Sequence, residues 1–235
     1  MKYQLKQSWF SLFIIGVAII TWLIALPFLP NAVPMQYDSN GDINWSANKF
    51  IAFIISIAIM IFCYIVTNIK IYRDKEQNRF SNIQALNNII NPLVQTFLYF
   101  IFLIIIFNAL GINISVNFLL PILVGLLLII IGNYLPKVPK NNSLGIKNKW
   151  TKTNESVWKK THRFTALVYI LVGLILVVLG LLGMINSVIT IIPFIHGTYI
   201  KKYSFYFFQI KKLATSVINF LPSPNLTRIA LNLIL

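Results

Sequence analysis

Long apolar stretches separated by short polar segments dominate the pattern of this chain. Residues 9–29 and residues 50–69 carry no charged side chain. Each stretch is about as long as the roughly 20 residues that a helix needs to cross the hydrocarbon core of a bilayer. Backbone groups in lipid must pair within their own segment, so the two stretches predict the first and second transmembrane helices.

A third apolar stretch, residues 80–136, is too long for a single crossing. Gly, Asn and Ser cluster at residues 111–117, and these residue types favour turns between helices. The pattern therefore predicts a third span near residues 92–110 and a fourth near residues 118–133.

Residues 164–200 form a further charge-free stretch. As one helix it would be about 55 Å long at 1.5 Å per residue, far more than a bilayer needs. Residues 183–187 contain Gly, Asn and Ser and supply a tight turn. We therefore expect a fifth span near residues 164–182 and a sixth near residues 187–203.

Lys and Arg are distributed unequally between the two ends of these six helices. Nineteen of the 20 fall on the side of the N-terminus, and only Lys49 falls on the other side. Because cytoplasmic loops retain positive charge, the distribution predicts that both termini are cytoplasmic. The expected fold is an all-α integral membrane protein with six transmembrane helices.

Composition supports a lipid environment and changes the interpretation of the charge. Hydrophobic residues make up 57% of the 235 positions and charged residues only 11%, whereas soluble domains carry about 25% charged residues. A formal net charge of +15 would indicate nucleic acid binding in a soluble protein. Here the basic residues lie between apolar stretches, so the expected partners are the lipid bilayer and its anionic headgroups, with no direct nucleic acid binding.

The spans and loops divide the chain into three regions. Residues 1–79 form a helix pair with an outer loop at residues 30–49, and residues 80–203 form a four-helix region with an inner loop at residues 134–163. Residues 204–235 mix aromatic, apolar and lysine residues. Two interpretations of this tail stay open, an amphipathic helix in the headgroup region and a disordered end.

No part of the sequence predicts a catalytic or metal site. All five acidic residues lie in predicted loops, and no span carries a carboxylate, although such groups mark proton relays in pumps. The single cysteine and two histidines do not form a cluster with metal-ligand spacing, and the H-E-x-x-H and G-x-S-x-G motifs are absent. We therefore expect a non-enzymatic protein without a cofactor.

The outer loop, residues 30–49, is the only sizeable surface expected to face outward. Two prolines fix its exit from the membrane, Asn40-Gly41 is a strong turn signal, and Trp45 is the type of ring that lies at an interface. A well-built connection and a ligand-binding loop both fit this pattern. The candidate ligand residues are Pro30, Pro34, Gln36, Tyr37, Gly41, Trp45 and Lys49.

The inner loop, residues 134–163, combines basic and aromatic residues. Thr153 is a suitable N-cap, so a helix is expected to begin near Asn154 and to continue into the fifth span. Trp150 and Trp158 are expected at the headgroups, beside basic side chains that face phosphates. The candidate interaction residues are Asn133, Pro136, Asn141, Gly145, Lys147, Trp150, Trp158, Lys160, His162 and Arg163.

The order of residues in this segment resembles the signature of the SdpI immunity-protein family, approximately G-N-x-L-P-K, N-x-x-x-G-I-R-T-P-W-T and E-x-V-W-x-K-T-H-R. The departures are Lys147 in place of arginine and Asn148-Lys149 in place of Thr-Pro. The outer loop is similar to the L-P-x-x-x-P-x-H pattern of an N-terminal domain of unknown function often joined to this family, with Gln36 in place of the histidine. The matching residues of the signature are Gly132, Asn133, Leu135, Pro136, Lys137, Asn141, Gly145, Ile146, Trp150, Thr151, Glu155, Val157, Trp158, Lys160, Thr161, His162 and Arg163.

This resemblance implies a multi-pass protein of the bacterial cytoplasmic membrane that gives resistance to a secreted peptide toxin. It also implies a cytoplasmic repressor as a partner on the inner side, through which the presence of the toxin would reach gene expression. The residues leave open an alternative from a different class, a small permease or lipid-handling protein with a path between its helices.

Overall fold

The computed structural model describes residues 9–38, 41–73, 80–141, 144–183 and 200–219. Most of these residues are helical, as the sequence predicts. In chain order the elements are α1 (Trp9–Ala25), β1 (Ala32–Tyr37), β2 (Ile43–Asn48), α2 (Lys49–Arg73), α3 (Phe80–Ala109), α4 (Val116–Tyr134), a 3-10 turn (Leu135–Lys137), α5 (Lys149–Thr153), α6 (Glu155–Leu181) and α7 (Lys201–Asn219).

Four of the described helices, α2, α3, α4 and α6, are long and apolar enough to cross a membrane. The helix α1 is apolar but shorter, at 17 residues. Large apolar side chains point away from the protein, for example Phe62 at 66% exposure and Leu181 at 60%. Apolar surfaces of this extent indicate contact with lipid rather than with water.

The predicted turn between the third and fourth spans is confirmed. The helix α3 ends at Ala109 and α4 begins at Val116, and Gly111 supplies a positive φ of 85°, which glycine adopts without a steric penalty. The first helix ends at Ala25, earlier than the predicted end at residue 29. The predicted sixth span, residues 187–203, lies outside the described residues except for its last four positions.

The expectation of an all-α fold is wrong for the outer loop, which forms an antiparallel β-hairpin. Ala32 pairs with Asn48 and Tyr37 pairs with Ile43, and the register is irregular around Gln36. These residues lie outside the apolar stretches and contain branched and aromatic side chains, so they pair their backbone groups with each other instead of extending a helix. Gly41 completes the turn with a φ of 91°.

One hydrophobic core is shared by α1, α2, α3 and the hairpin. Trp22 of α1 and Met60 of α2 are almost fully buried in it, together with Phe102 of α3. Val33 of β1 is 0% exposed and belongs to the same core. The hairpin is thus fixed to the outer ends of these helices by apolar packing.

The helices α4 and α6 approach each other closely along a row of small residues. A Cβ built at Gly125 would lie 2.6 Å from the carbonyl oxygen of Gly173, and a Cβ at Gly173 would lie 2.6 Å from that of Gly125. Gly132 meets the backbone of Ala166 in the same way, at 2.9 Å. Small residues at such contacts let helix backbones approach closely in membranes, so α4 and α6 form one rigid pair.

Candidate functional site

The inner segment folds into an ordered structure, here called the inner cap (residues 134–141 and 144–163), where α4 ends and α6 begins. The carbonyl oxygen of Val138 accepts a 2.9 Å hydrogen bond from Nε1 of Trp158. Trp158 is only 1% exposed. The expectation that Trp158 lies at the headgroups is therefore wrong, because the protein itself surrounds the ring and satisfies its N–H group.

A tight turn in the inner cap depends on Asn141 and Gly145. The Asn141 side chain donates to the carbonyl oxygen of Pro139 and accepts from the backbone N–H of Leu144, both at 2.6 Å. Gly145 has a φ of 98°, and a Cβ there would overlap the ring of His162. Glycine is therefore required at position 145 for two independent reasons.

His162 is held at both ring nitrogens. Its Nε2 accepts a 3.1 Å hydrogen bond from the backbone N–H of Ile146, so Nε2 carries no hydrogen. Nδ1 must then carry the hydrogen, and it donates to the carbonyl oxygen of Trp158 at 2.8 Å. The ring also stacks on Trp158, with centroids 4.2 Å apart. This geometry gives His162 a positioning role as a neutral imidazole.

The start of α6 differs from the predicted one by one residue. Asn154, not Thr153, is the N-cap, and its Oδ1 accepts from the backbone N–H groups of Ser156 and Val157. Thr153 instead ends α5, and its hydroxyl donates to the carbonyl oxygen of Lys149 at 3.1 Å. Both residue types cap helices well, so sequence alone does not distinguish them.

A reciprocal capping box begins α5. Asn148 Oδ1 accepts from the N–H of Thr151, and the Thr151 hydroxyl accepts from the N–H of Asn148, both at 2.9 Å. The same hydroxyl donates to the carbonyl oxygen of Ile146. The signature of the SdpI family has Thr-Pro where this chain has Asn148-Lys149. The capping bonds of Asn148 stabilise this turn without that proline.

The helix α7 packs against the inner cap, which the sequence did not predict. Trp150 meets Phe205 edge to face with centroids 5.2 Å apart, and the Lys160 ammonium lies 4.3 Å from the ring centroid of Phe207. The buried hydroxyls of Thr161 and Ser204 are 3.1 Å apart. The aromatic residues at 203–208 were the only sequence signal for this contact.

The candidate inner residues therefore fall into three groups by exposure. Asn141, Trp158 and His162 are buried within the inner cap, while Trp150 and Lys160 are half-buried against α7. The exposed members of the candidate set are Asn133, Pro136, Gly145, Lys147 and Arg163. Two of these exposed residues, Lys147 and Arg163, are positively charged.

On the opposite side, the hairpin and the α3–α4 connection enclose an open cleft, here called the outer cleft. Its volume is about 550 Å³, which is within the usual range of ligand pockets. The hairpin contributes Pro34, Tyr37, Gly41, Asp42 and Ile43 to the lining. The end of α3, the connection and the start of α4 contribute Asn108, Asn113, Ile114, Ser115 and Val116. The sequence did not predict that residues 108–116 contribute to this site.

Four other candidate outer residues, Pro30, Gln36, Trp45 and Lys49, do not line the outer cleft. Lys49 has a structural role, because its ammonium donates to the carbonyl oxygens of Leu26 and Leu29 at 3.1 and 3.3 Å. These two carbonyls follow the end of α1. Lys49 therefore ties the end of α1 to the start of α2.

Asn108 holds the far wall of the outer cleft in place. Its side chain donates to the carbonyl oxygen of Ile114 at 3.1 Å and accepts from the N–H of the same residue at 2.8 Å. Opposite it, burial raises the pKa of the Tyr37 phenol above its ordinary value, although the Asn108 amide lowers it in part. Tyr37 is therefore a neutral group at physiological pH.

The outer cleft and the inner cap lie at opposite ends of α4. Nineteen residues of helix separate them, or about 28 Å at 1.5 Å per residue. Among the residues that the structure describes, no group of three or more His, Cys, Asp or Glu side chains could hold a metal ion.

Comparisons with known proteins match both halves of the chain. Residues 137–200 match the SdpI/YfhL protein family, and residues 13–61 match a domain of unknown function (DUF1648). The Immunity protein SdpI of Bacillus subtilis (strain 168) is 26% identical over 176 residues, which cover 75% of this chain and 82% of that protein. No solved structure matches the chain at a significant level. The two resemblances inferred from sequence motifs are confirmed.

Proposed function

We propose that this multi-pass protein is a non-enzymatic immunity protein of the bacterial cytoplasmic membrane, because residues 137–200 match the SdpI/YfhL protein family. It gives resistance to a secreted peptide toxin. The observation that carries the proposal is the similarity to an immunity protein over three quarters of the chain. The outer cleft supports it, since a secreted toxin reaches the cell from outside.

The proposed arrangement has six spans with both termini in the cytoplasm. It rests on the four long apolar helices, the shorter apolar helix α1 and the nineteen-to-one distribution of Lys and Arg. The exposed basic residues of the inner cap then face anionic headgroups and a cytoplasmic repressor. Lys147 and Arg163 are the first residues such a partner would meet.

Trypsin digestion of membrane vesicles tests this arrangement. Inverted vesicles should be cut within residues 137–163, where exposed lysines follow one another, whereas intact cells should resist cleavage there. Cleavage of the same segment by trypsin added outside intact cells would contradict the proposed orientation. Repeating the digestion with toxin enclosed in the vesicles shows whether the toxin changes the cleavage of the inner cap. Such a change requires the toxin to prefer one helix arrangement over another.

The chemistry of the outer cleft indicates the kind of peptide that fits. Pro34, Ile43 and Val116 provide apolar contacts, and Asp42 adds an exposed carboxylate. Lys49 does not line the outer cleft, and its ammonium donates to the backbone carbonyls of Leu26 and Leu29. We therefore propose that the outer cleft takes an apolar, neutral or basic segment of the toxin.

Replacing Ile43 with lysine should weaken toxin binding and lower protection. The new ammonium would stand in the outer cleft against a basic or apolar peptide, so we expect binding to weaken about tenfold or more. Ile43 is 59% exposed, so the variant should fold. Survival of a sensitive host is measured against increasing amounts of the peptide fraction secreted by the strain that encodes this chain.

The matched control for this experiment is Asn44→Lys. Asn44 is exposed on the same strand, next to Ile43, but does not line the outer cleft. Both variants add one positive charge to the hairpin, so a nonspecific effect of charge would lower protection in both. Equal protection by the two variants, at equal amounts in the membrane, would show that the outer cleft does not bind the toxin.

A further inference from the structure

Three amide side chains lie one above another on a buried face of α3, and two of them contact α2. Asn87, Asn91 and Gln95 follow one another at four-residue spacing on α3, and their exposures are 4%, 1% and 0%. Residues at this spacing share one face of a helix. Together they are called the amide row here, and they lie within a helix that is apolar enough to cross the membrane.

Only part of the hydrogen-bonding capacity of the amide row is used. Asn87 donates to Oδ1 of Asn68 at 3.4 Å, and Gln95 donates to the carbonyl oxygen of Met60 at 3.2 Å. The oxygens of all three amides and the nitrogen of Asn91 are buried without a partner. Each such group in an apolar interior is unfavourable unless something hydrogen-bonds to it.

Pro92 adds a further acceptor at the middle of the amide row. It lies inside α3, and proline has no N–H to donate to the carbonyl four residues earlier. The carbonyl of Asn88 therefore lacks its usual helical donor. The unused groups are mainly acceptors, so the partner that fits them is a small molecule able to donate hydrogen bonds.

The amide row has a defined end toward the outside. The contacts Asn68–Asn87 and Met60–Gln95 fix the antiparallel register of α2 and α3. One turn beyond Gln95, the hydroxyl of Tyr99 lies 3.2 Å from that of Thr21 on α1. This bond joins α1 to α3 one turn beyond the last amide of the row, on the outer side in the proposed orientation.

We propose that the amide row is a hydrated site, reached by water from the cytoplasmic side, which takes small hydrogen-bond donors as far as Gln95. Water is the first such ligand, and it supplies the donors that the buried oxygens lack. The site is separate from the outer cleft and from the inner cap. It does not depend on the immunity function, although its direction of access depends on the proposed orientation.

Thiol labelling tests this proposal in inverted vesicles that contain the full-length protein. The chain has one cysteine, so Cys63→Ser provides a background without thiols. Asn91→Cys and Gln95→Cys are made in that background and treated with a small cationic methanethiosulfonate that does not cross membranes. Both should react about tenfold faster than a lipid-facing thiol, because hydration favours the reactive thiolate.

The matched control is Ile89→Cys. Ile89 lies on the same helix and is 38% exposed. It is nearer to the cytoplasmic end of that helix than Asn91. Depth alone would therefore favour labelling of the control. Labelling of positions 91 and 95 no faster than position 89 would overturn the proposal, provided that all thiols react after solubilisation in detergent.

A second variant keeps the test valid if one cysteine variant fails to fold. Asn91→Leu combined with Gln95→Cys places hydrocarbon in the middle of the amide row. Labelling of position 95 should then slow at least severalfold relative to Gln95→Cys alone. Unchanged labelling would mean that water reaches Gln95 by another route, and the amide row would not be the path.

Discussion

Replacing Gly173 with leucine should prevent the protein from folding stably in the membrane. Even the Cβ of the new side chain would lie 2.6 Å from the carbonyl oxygen of Gly125, so the backbones of α4 and α6 would have to separate. Overpacking of this kind costs about 3 kcal/mol, a large part of the 5–15 kcal/mol that stabilises a typical protein. The measurements are the amount of protein in the membrane and its unfolding temperature in detergent.

Gly16→Leu is the control for this variant. Gly16 also lies inside an apolar helix, but nothing lies within 4 Å of a Cβ built there. It should accumulate like the unchanged protein, because leucine favours a helix more than glycine does. Equal yields and equal unfolding temperatures for the two variants would show that α4 and α6 do not depend on close backbone contact.

Trp158→Ala should destabilise the inner cap by about 3–5 kcal/mol, the usual cost of removing a buried tryptophan. The ring supports His162 by stacking and binds the carbonyl of Val138. Trp158→Phe should cost less, since it keeps an aromatic ring and loses only the N–H donor and part of the buried ring volume. The rate at which trypsin cuts the segment 137–163 in detergent, compared with the rate for the unchanged protein, measures both effects.

Two variants separate this structural role from a role in partner binding. Trp9→Ala removes a tryptophan that is 61% exposed and should leave the inner cap intact. Arg163→Ala removes an exposed residue of the same cap and should accumulate normally. If Trp158→Ala is as resistant to trypsin as Trp9→Ala, Trp158 does not support the inner cap.

The parts of the fold that depend on local sequence were predictable. Spans follow from the length of apolar stretches, and the turn at Gly111 follows from a residue that adopts a positive φ freely. In each case the physical cause lies within a few residues of the position concerned.

The remaining features depend on contacts between distant residues. Trp158 is a residue type that often lies at the membrane interface. Only its contact with Val138, 20 positions earlier in the chain, shows that it is buried. The outer cleft joins the hairpin to residues 108–116, which lie more than 60 positions later. The hairpin was interpreted as a loop because Pro34 and the polar residues of β2 weaken the alternation of a strand.

The outer cleft and the inner cap lie at the two ends of the α4–α6 pair. We propose that the outer cleft recognises the toxin, and that the inner cap is a folded support whose exposed basic side chains face the cytoplasm in the proposed orientation. Because α4 and α6 are in backbone contact at Gly125 and Gly173, we expect them to move together. A signal between the surfaces would therefore have to displace the pair relative to α1, α2 and α3.

The immunity function is tested directly by the survival of a toxin-sensitive bacterium that expresses the unchanged chain. Cells carrying the gene or an empty vector are exposed to the secreted peptide fraction of the strain that encodes this chain and, in parallel, to that of Bacillus subtilis (strain 168). We expect the chain to protect cells from its own strain's peptides at doses that kill the vector control. Equal killing of both cultures, with the protein present in the membrane and the fraction active, would contradict an immunity function.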